Sequence, residues 1–208
     1  RTVLHTKLVD FGLGQTTGLG FPGEADGILL PLAEWSGTSL PTIAIGQGVA
    51  ATPMQMLTSY ATLANRGVWR APTLVLGMRD HGGVFESVGK DVGRRVVSEA
   101  TAEELIVMIE AAVRSGTGTR AQVPGYRVAG KTGTAWKPHP AGGYGEEEDE
   151  VRYVASFAGF LPADAPELVV LVIVDEPAGH PYTGGSVAAP VFSEFAKFAV
   201  RQLRIPAA

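Results

Sequence analysis

The sequence predicts an α+β fold in which an antiparallel sheet is flanked by helices, and three observations support this prediction. Residues 1–125 carry helical patterns that are separated by segments rich in Gly, Pro, Thr and Ser. Residues 126–208 carry three strand-like runs and then one amphipathic helical pattern. The three runs follow one another through a hairpin and a tight link, which is typical of antiparallel neighbours.

The first part of the chain begins with a helix and continues in turns. Apolar residues within 1–12 are spaced like the end of an amphipathic helix. Segments 12–27 and 31–48 are rich in Gly, Pro, Thr and Ser and are expected to contain many turns. Because the chain opens inside a helical pattern, we expect further sequence upstream of Arg1.

The next helix has a well-marked start. Thr52 is a good N-cap, Pro53 suits the first helical position, and Gln55 completes a capping box. We expect the helix to end near Asn65, with Gly67 as the stop. Its apolar residues lie on two sides, which is typical of a core helix; they are Met54, Leu57, Ala61 and Ala64 on one side and Met56, Tyr60 and Leu63 on the other.

Segments 69–78 and 83–97 are expected to be short strands and turns, and another helix follows them. Thr101 and Glu104 have the spacing of a capping box, which predicts the start of this helix. Leu105, Met108, Ile109 and Ala112 repeat at helical spacing. Arg114 is expected in the last turn, with Gly116 just beyond.

Three strands are predicted at 126–135, 152–161 and 168–174. The last two are apolar at nearly every position, so we expect them to be central and covered on both faces. A final helix is predicted after Pro190, with a sheet-facing side made of Phe192, Phe195, Ala196, Ala199 and Leu203.

Composition excludes several classes of function. The chain has 208 residues and a formal charge of −4, so it offers no basic footprint for nucleic acid. It contains no cysteine, which excludes disulfides, thiolate catalysis and cysteine-based zinc sites. The longest apolar run, residues 168–174, is far shorter than the roughly 20 residues that span a bilayer.

Two motifs overlap at Lys131. The segment from Gly125 to Thr132 matches the phosphate-binding pattern G-x-x-x-x-G-K-[ST], which needs a strand before it and a helix after it. The sequence predicts no buried strand before Gly125 and no helix after Thr132, so we reject this nucleotide-binding hypothesis. Lys131 also begins Lys-Thr-Gly-Thr, a K-T-G pattern.

The K-T-G pattern has its own physical rationale on a strand. Thr132 and Thr134 share one face, and Gly133 exposes bare backbone between them. Their hydroxyls and the charge of Lys131 suit a substrate carboxylate, while Gly133 lets a peptide pair as an added strand. The backbone N–H of Thr134 is placed to donate to a developing oxyanion. Taken alone, the motif is equally compatible with an ordinary edge strand that carries a solvated lysine.

Several blocks together resemble the class B penicillin-binding proteins, most of all the division-type peptidoglycan transpeptidases. In chain order they are IAIGQG at 43–48, ATPMQM at 51–56, YATLANRG at 60–67, SGTG at 115–118, VAGKTGTA at 128–135, SFAGF at 156–160 and GGSVAAPVF at 184–192. The resemblance covers nearly the whole chain. It implies the penicillin-binding transpeptidase fold, with five strands in the complete domain, of which this chain is the C-terminal part.

The resemblance also implies a peptidoglycan D,D-transpeptidase. In that family the serine of an S-x-x-K motif is acylated by a stem peptide ending in D-Ala-D-Ala, and β-lactams acylate the same serine. Lys131, Thr132, Gly133 and Thr134 are then the substrate-binding strand, with Lys131 and Thr134 contributing to catalysis. The implied partners are stem peptides, β-lactams, the missing N-terminal half of the domain and cell-division proteins, at the extracytoplasmic face of the bacterial plasma membrane. An absent upstream segment supplies the membrane anchor, and no cofactor or metal is implied.

The catalytic serine is not expected in this chain. No S-x-N motif occurs, and the single S-x-x-K match runs from Ser87 to Lys90 in a Gly-rich segment that we expect to be a surface turn. We therefore interpret Ser87 as a coincidental match and expect the chain alone to be inactive. A catalytically inactive interaction module with the same fold is the alternative hypothesis.

Smaller signals are left open. Tyr182 and Gly184 either line the site or form a turn before the last helix, and Trp136 either stacks on a ligand or packs. The acidic run 146–150 suits a solvated loop better than a cation site. His5, His81, His139 and His180 have no metal-binding spacing.

Overall fold

The computed structural model describes residues 1–88, 92–139, 143–144 and 151–207. These contain five α-helices, which are α1 (Thr2–Asp10), α2 (Ser39–Ala44), α3 (Pro53–Ala64), α4 (Glu99–Ser115) and α5 (Gly184–Leu203). They also contain seven strands, which are β1 (Val68–Trp69), β2 (Gly77–Arg79), β3 (Phe85–Ser87), β4 (Arg94–Arg95), β5 (Ala129–Trp136), β6 (Tyr153–Leu161) and β7 (Leu168–Asp175). The predicted α+β class is confirmed.

The main sheet has the antiparallel order β5-β6-β7, with β5 and β7 at its two edges among the described residues. The prediction that the second strand is central is therefore confirmed. The third is only partly covered, because β7 has no second neighbour in the described sheet and Ile173 is 43% exposed. A strand rich in Val and Leu indicates burial but cannot show whether the covering element belongs to the same segment of chain.

Helices pack on both faces of this sheet. On one face α5 covers β6, where the rings of Phe157 and Phe192 lie 4.7 Å apart at 60°. On the opposite face α3 and α4 meet the sheet around Phe160 and Ile106. The strand that carries the K-T-G motif is thus held between two packed layers.

The capping box of α3 is confirmed. The hydroxyl of Thr52 accepts the backbone N–H of Gln55 at 3.2 Å, and the amide oxygen of Gln55 accepts that of Thr52 at 2.9 Å. The apolar residues predicted to face the core are only half-buried. The fully buried side chains of α3 are instead polar and belong to Gln55, Thr58 and Thr62. Their hydrogen-bonding groups are satisfied inside the protein, with Gln55 Nε2 donating to the Gln15 and Asp26 carbonyls at 2.7 Å each. Gln55 thus holds the turn-rich segment 12–27 against α3.

The start of α4 differs from the prediction, and its apolar repeat is only partly turned toward the core. Ser98, not Thr101, is the N-cap, and its hydroxyl accepts the N–H of Thr101 at 3.1 Å. Thr101 lies inside the first turn, so the Thr101–Glu104 capping box does not form. The buried residues are Ala102, Ile106 and Val113, while Met108 is 62% exposed. Gly116 ends the helix as expected.

The last helix begins six residues before Pro190, at Gly184, so the prediction that it follows this proline is wrong. Proline has no N–H and therefore leaves the carbonyl of Ser186, four residues earlier, without its helical donor. Arg120 Nη1 approaches that carbonyl at 3.5 Å. The predicted sheet-facing side is wrong for two residues, because Phe195 is 50% exposed and Leu203 is 61% exposed.

Segments expected to be irregular are partly ordered. Residues 31–48 include α2 rather than turns alone. The short strands predicted between Trp69 and Val97 form two ribbons, β1 with β4 and β2 with β3. In the part of the chain that the structure describes, no helix combines the length and apolar character needed to cross a bilayer.

Candidate active site

The Lys131–Thr134 motif lies on β5 with its other side open in the described sheet. The N–H of Lys137, just past β5, donates to the carbonyl of Arg152 at 2.8 Å, in register with the β5–β6 pairing. Backbone groups of an antiparallel strand alternate in direction, so the N–H and C=O groups of Thr132 and Thr134 point away from β6. These groups therefore face the open edge of the sheet.

Side chains of the motif separate onto two faces. Thr132 pairs with Phe157 and Thr134 with Ala155, so both hydroxyls lie on the face that α5 covers. Lys131 and Gly133 lie on the opposite face. The Lys131 ammonium nevertheless reaches the strand edge, where it donates to the Thr132 carbonyl at 3.0 Å and to its hydroxyl at 3.3 Å. The structure thus brings the predicted charge and the first predicted hydroxyl together.

A polar groove of about 440 Å³ lies beside the two threonines. It is enclosed by the turn after α4, the outer part of β5 and the start of α5. Its lining side chains are six hydroxyls and one guanidinium, from Thr117, Thr119, Thr132, Thr134, Thr183, Ser186 and Arg120. The hydroxyls of Thr117 and Thr132 lie 2.8 Å apart, and the N–H of Gly184 donates to the Thr134 hydroxyl at 3.1 Å.

Glycines allow close packing on both faces of β5. A Cβ at Gly184 would lie 2.2 Å from the Ser156 carbonyl oxygen and 2.3 Å from that of Gly133. Only a residue without a side chain lets the start of α5 approach β5 so closely. At Gly133 itself, a Cβ would lie 2.5 Å from the hydroxyl of Ser156 on β6.

Sequence reasoning did not single out the other side of the groove. Thr117 belongs to the 115–118 block, and Thr183 precedes the 184–192 block, but neither received a role. Arg120 and Ser186 were missed as well. The only available signal was that these blocks lie at helix boundaries, where hydroxyl residues have ordinary capping roles.

Lys137, six residues after Lys131, is engaged elsewhere. Its ammonium donates to Asp175 at 2.9 Å and to Glu176 at 2.7 Å. These hydrogen bonds raise the pKa of Lys137 above its ordinary value. Lys137 is therefore committed to joining β5 to the end of β7.

The structural context disagrees with a nucleotide-binding loop. Lys131 and Thr132 lie within strand β5 instead of opening a helix, and an isolated bridge between Val123 and Tyr126 precedes the strand. The helix N-terminus that would hold phosphate in that motif is absent from the described residues around Lys131.

The chain matches a family model described as the penicillin binding protein transpeptidase domain over residues 4–197. The chain belongs to this family. Among curated relatives, PbpB of Mycolicibacterium smegmatis and the stage V sporulation protein D of Bacillus subtilis are each 39% identical over 97% of this chain. The peptidoglycan D,D-transpeptidase FtsI of Escherichia coli is 34% identical over 94% of it.

Solved transpeptidases have the same fold. Penicillin-binding protein 3 of Mycobacterium tuberculosis, in its complex with aztreonam, superposes with a TM-score of 0.88 at 35% identity, over all of this chain and 48% of that one. The transpeptidase domain of Burkholderia pseudomallei penicillin-binding protein 3 gives 0.81 at 36% identity, over 97% of this chain and 57% of that one. The chain spans about one third of the curated relatives it matches, with 32%, 31% and 31% of the three named above.

Aromatic residues of this transpeptidase chain lie near the far end of β5. Tyr182 stacks on Tyr153 with ring centres 4.1 Å apart at 20°, and His180 lies 5.1 Å from Tyr182. Trp136 is 52% exposed and tilts against Tyr144 at 5.8 Å, so it lies outside the core. Gly184 is the first residue of α5, so it belongs to the helix instead of a preceding turn.

Other residues noted in the sequence lie apart from this arrangement. Ser87 is the last residue of β3 and is exposed; its hydroxyl donates to the Val88 carbonyl at 3.2 Å. Lys90 and the acidic run 146–150 fall outside the described residues. His5 contacts the Trp35 ring at 5.6 Å, and His81 and His139 lie in other segments. Across the described ranges, no group of three or more potential ligands is arranged to hold a metal ion.

Proposed function

We propose that this chain is the C-terminal part of a D,D-transpeptidase domain that cross-links peptidoglycan stem peptides through an acyl-serine intermediate. Residues 1–125 contribute mainly helices and loops, and residues 126–208 contribute three strands and the closing helix. The observation that carries the proposal is the open edge of β5, where the backbone of Thr132 and Thr134 faces outward beside a groove lined by hydroxyls. An extended peptide or a β-lactam fits such an edge as an added strand.

The hydrogen bonds around the two threonines favour binding of an anion. The Thr134 hydroxyl accepts the N–H of Gly184, which leaves its own O–H free to donate. Lys131 donates to the Thr132 hydroxyl, which also shares a hydrogen bond at 2.8 Å with the Thr117 hydroxyl. When Thr117 is the donor of that bond, the hydroxyls of Thr132 and Thr134 can both donate to the substrate carboxylate, with the Lys131 charge close by.

Catalysis in the proposed mechanism combines this strand with a serine from outside the chain. The serine attacks the penultimate D-Ala carbonyl, the terminal D-Ala leaves, and an amine of a neighbouring stem peptide resolves the acyl-enzyme. The outward N–H of Thr134 stabilises the oxyanion that forms in both steps. Ser87 has no part in this mechanism, because it ends a short exposed strand instead of opening a buried helix.

The missing N-terminal half of the domain is the proposed partner of two exposed surfaces. One side of α5 presents a stripe of exposed apolar residues, Val191, Phe195 and Phe198, whose exposures are 51%, 50% and 60%. The edge of β7 is open in the described sheet. Covering both would remove apolar surface from water and pair free backbone groups. We further propose an extracytoplasmic location, an anchor in the upstream segment and cell-division proteins as partners, by analogy with the family.

The experiment is a comparison of acylation rates by a labelled penicillin in the complete protein. We expect Thr132→Val and Thr134→Val each to lower the second-order rate constant by about 10- to 100-fold, because a hydrogen bond to a charged or developing anion is lost. Thr101→Val is the matched control. The hydroxyl of Thr101 forms a hydrogen bond of 2.8 Å with that of Ser98, in the first turn of α4, whereas the groove lies beyond the last turn.

Each result is diagnostic. If the wild-type protein is acylated and only the two β5 variants are slow, the proposed role of the strand is supported. If the wild-type protein is never acylated, an inactive module with this fold becomes the better account. If the β5 variants react like the wild type, the strand has been assigned a role that it does not have.

A further inference from the structure

The groove beside β5 contains a positive charge that the K-T-G motif does not include. Among the residues that line it, Arg120 is the charged one and none is acidic. Lys131 leaves the strand on the other face and does not line the groove. Arg120 therefore adds a positive charge from the turn after α4, beside the Lys131 ammonium that reaches the Thr132 hydroxyl from the strand edge at 3.3 Å.

Arg120 is free to bind a ligand. Its Nη1 donates to the Ser186 carbonyl over 3.5 Å, which is a long donor–acceptor distance for a hydrogen bond. In the described part of the chain it forms no ion pair, whereas Arg127 and Lys137 are each paired with carboxylates. A guanidinium has five N–H donors, so most of those of Arg120 remain available.

The groups around Arg120 select the class of ligand. Hydroxyls of Thr117, Thr132 and Thr134 lie in the same groove. The Thr134 hydroxyl accepts the N–H of Gly184 and keeps its O–H to donate. The Thr117 and Thr132 hydroxyls share one hydrogen bond at 2.8 Å, so one O–H of that pair remains to donate to a ligand. A guanidinium fork together with donating hydroxyls matches the two oxygens of a carboxylate. A cationic ligand would be repelled, and a neutral one would leave the guanidinium unused.

We infer that Arg120 is a specificity-determining residue that binds the C-terminal carboxylate of the substrate, and the corresponding carboxylate of a penicillin, together with Thr132 and Thr134. This inference rests on the proposed function. It adds to that function a second element that binds the carboxylate, since Arg120 lies in the turn between α4 and β5 whereas Thr132 and Thr134 lie on β5 itself. Lys131 then serves mainly the strand edge, where it donates to Thr132.

The test is a coupling measurement in the complete protein with two ligands, benzylpenicillin and its primary amide. The two compounds differ only in the carboxylate. Arg120→Gln removes the charge, Arg120→Lys keeps it without the fork, and Arg114→Gln removes an exposed positive charge in the last turn of α4, outside the groove. The second-order rate constant of acylation is measured for the wild type and each variant with each of the two compounds, and the melting temperature of each protein checks its folding.

We expect Arg120→Gln to slow acylation by benzylpenicillin about 10- to 100-fold and acylation by the amide less than about threefold, because the lost interaction is a charge-assisted hydrogen bond to the carboxylate. Arg120→Lys should fall between wild type and Arg120→Gln, and Arg114→Gln should match the wild type with both compounds.

Equal slowing with both compounds would overturn the inference, since Arg120 would then act on the structure of the strand. No slowing with either compound would overturn it as well. Both results leave acylation of the wild type intact, so the proposed function would stand. Failure of the wild type to react with either compound would instead contradict the proposed function, and this inference with it.

Discussion

At the residue scale, Glu110 and Arg127 join α4 to the segment that leads into β5. Arg127 donates two hydrogen bonds to the carboxylate, at 2.8 and 2.7 Å. The hydrogen bonds from Arg127 lower the pKa of Glu110 from its ordinary value, more than burial raises it. The segment that leads into β5 is thus fixed to the helix that ends at the groove.

This ion pair predicts a pH-dependent stability. Because the folded pKa of Glu110 is depressed, its contribution is present above the unfolded pKa of about 4.5 and is lost as pH falls through the lower folded value. We expect Glu110→Gln to lower the free energy of unfolding of the complete protein by about 0.5–1 kcal/mol at pH 7, since the pair is partly exposed. Urea unfolding at pH 7 and at about pH 3 measures the difference.

The control for this prediction is Glu104→Gln, an exposed residue on the same helix for which no ion pair is seen in the described structure. It should have little effect at either pH. A stability loss for Glu110→Gln that persists unchanged at about pH 3 would mean that packing, not the ionised pair, is responsible.

At the element scale, the start of α5 positions the groove. Its first residue, Gly184, donates to the Thr134 hydroxyl while its Cα lies against the β5 and β6 backbones. We expect Gly184→Ala to destabilise the complete protein by about 1–3 kcal/mol, because the added methyl overlaps carbonyl oxygens that cannot rotate away. The same change should slow penicillin acylation by displacing Thr134.

Thermal unfolding and acylation kinetics check both effects. Gly37→Ala is the matched control, because a Cβ there meets nothing within 4 Å. It should leave stability within about 0.5 kcal/mol of the wild type. If Gly184→Ala were as stable and as fast as the wild type, α5 would not be holding Thr134 in the way described.

Elements with local signals could be predicted from the sequence, and those that depend on tertiary contacts could not. Thr52, Pro53 and Gln55 mark α3 because the cap is formed by neighbouring residues. Pro190 suggested a helix start, yet it lies inside α5, where Arg120 from another segment approaches the freed carbonyl. Phe195 repeats with the core residues of α5 but faces outward, since an apolar period does not show which of two apolar sides meets the sheet.

The candidate site shows the same difference between features with local signals and features that depend on tertiary contacts. The strand and the alternation of Lys131, Thr132, Gly133 and Thr134 follow from the motif and the period of a strand. The opposite wall of the groove comes from two distant segments, around Thr117 and Ser186. A long-range juxtaposition of ordinary hydroxyl residues leaves no local pattern in a single sequence.

At the scale of the whole molecule, the exposed apolar stripe of α5 predicts dependence on the rest of the domain. We expect Phe198→Ser to lower the stability of the complete protein by about 2–4 kcal/mol, because we propose that the upstream half buries this ring. In this chain alone, where Phe198 is 60% exposed, the same change should cost little and should reduce aggregation.

Unfolding curves and light scattering on both forms measure this contrast. Glu194→Ser, on the same helix, is the control: its side chain is 76% exposed and its ion pair with Lys197 lies at the surface, so the change should cost no more than about 0.5 kcal/mol in either form. An equally small effect of Phe198→Ser in the complete protein would show that the upstream half does not cover this face of α5.

The central claim is that this chain supplies the substrate strand of a transpeptidase whose nucleophile lies outside it. Intact-mass spectrometry after incubation with a penicillin tests it most directly, on this chain and on the protein extended upstream. We predict one covalent penicillin on the extended form and none on this chain, because neither Ser87 nor another serine here is expected to be the nucleophile. Acylation of this chain alone would contradict the claim, and peptide mapping would then identify the serine responsible.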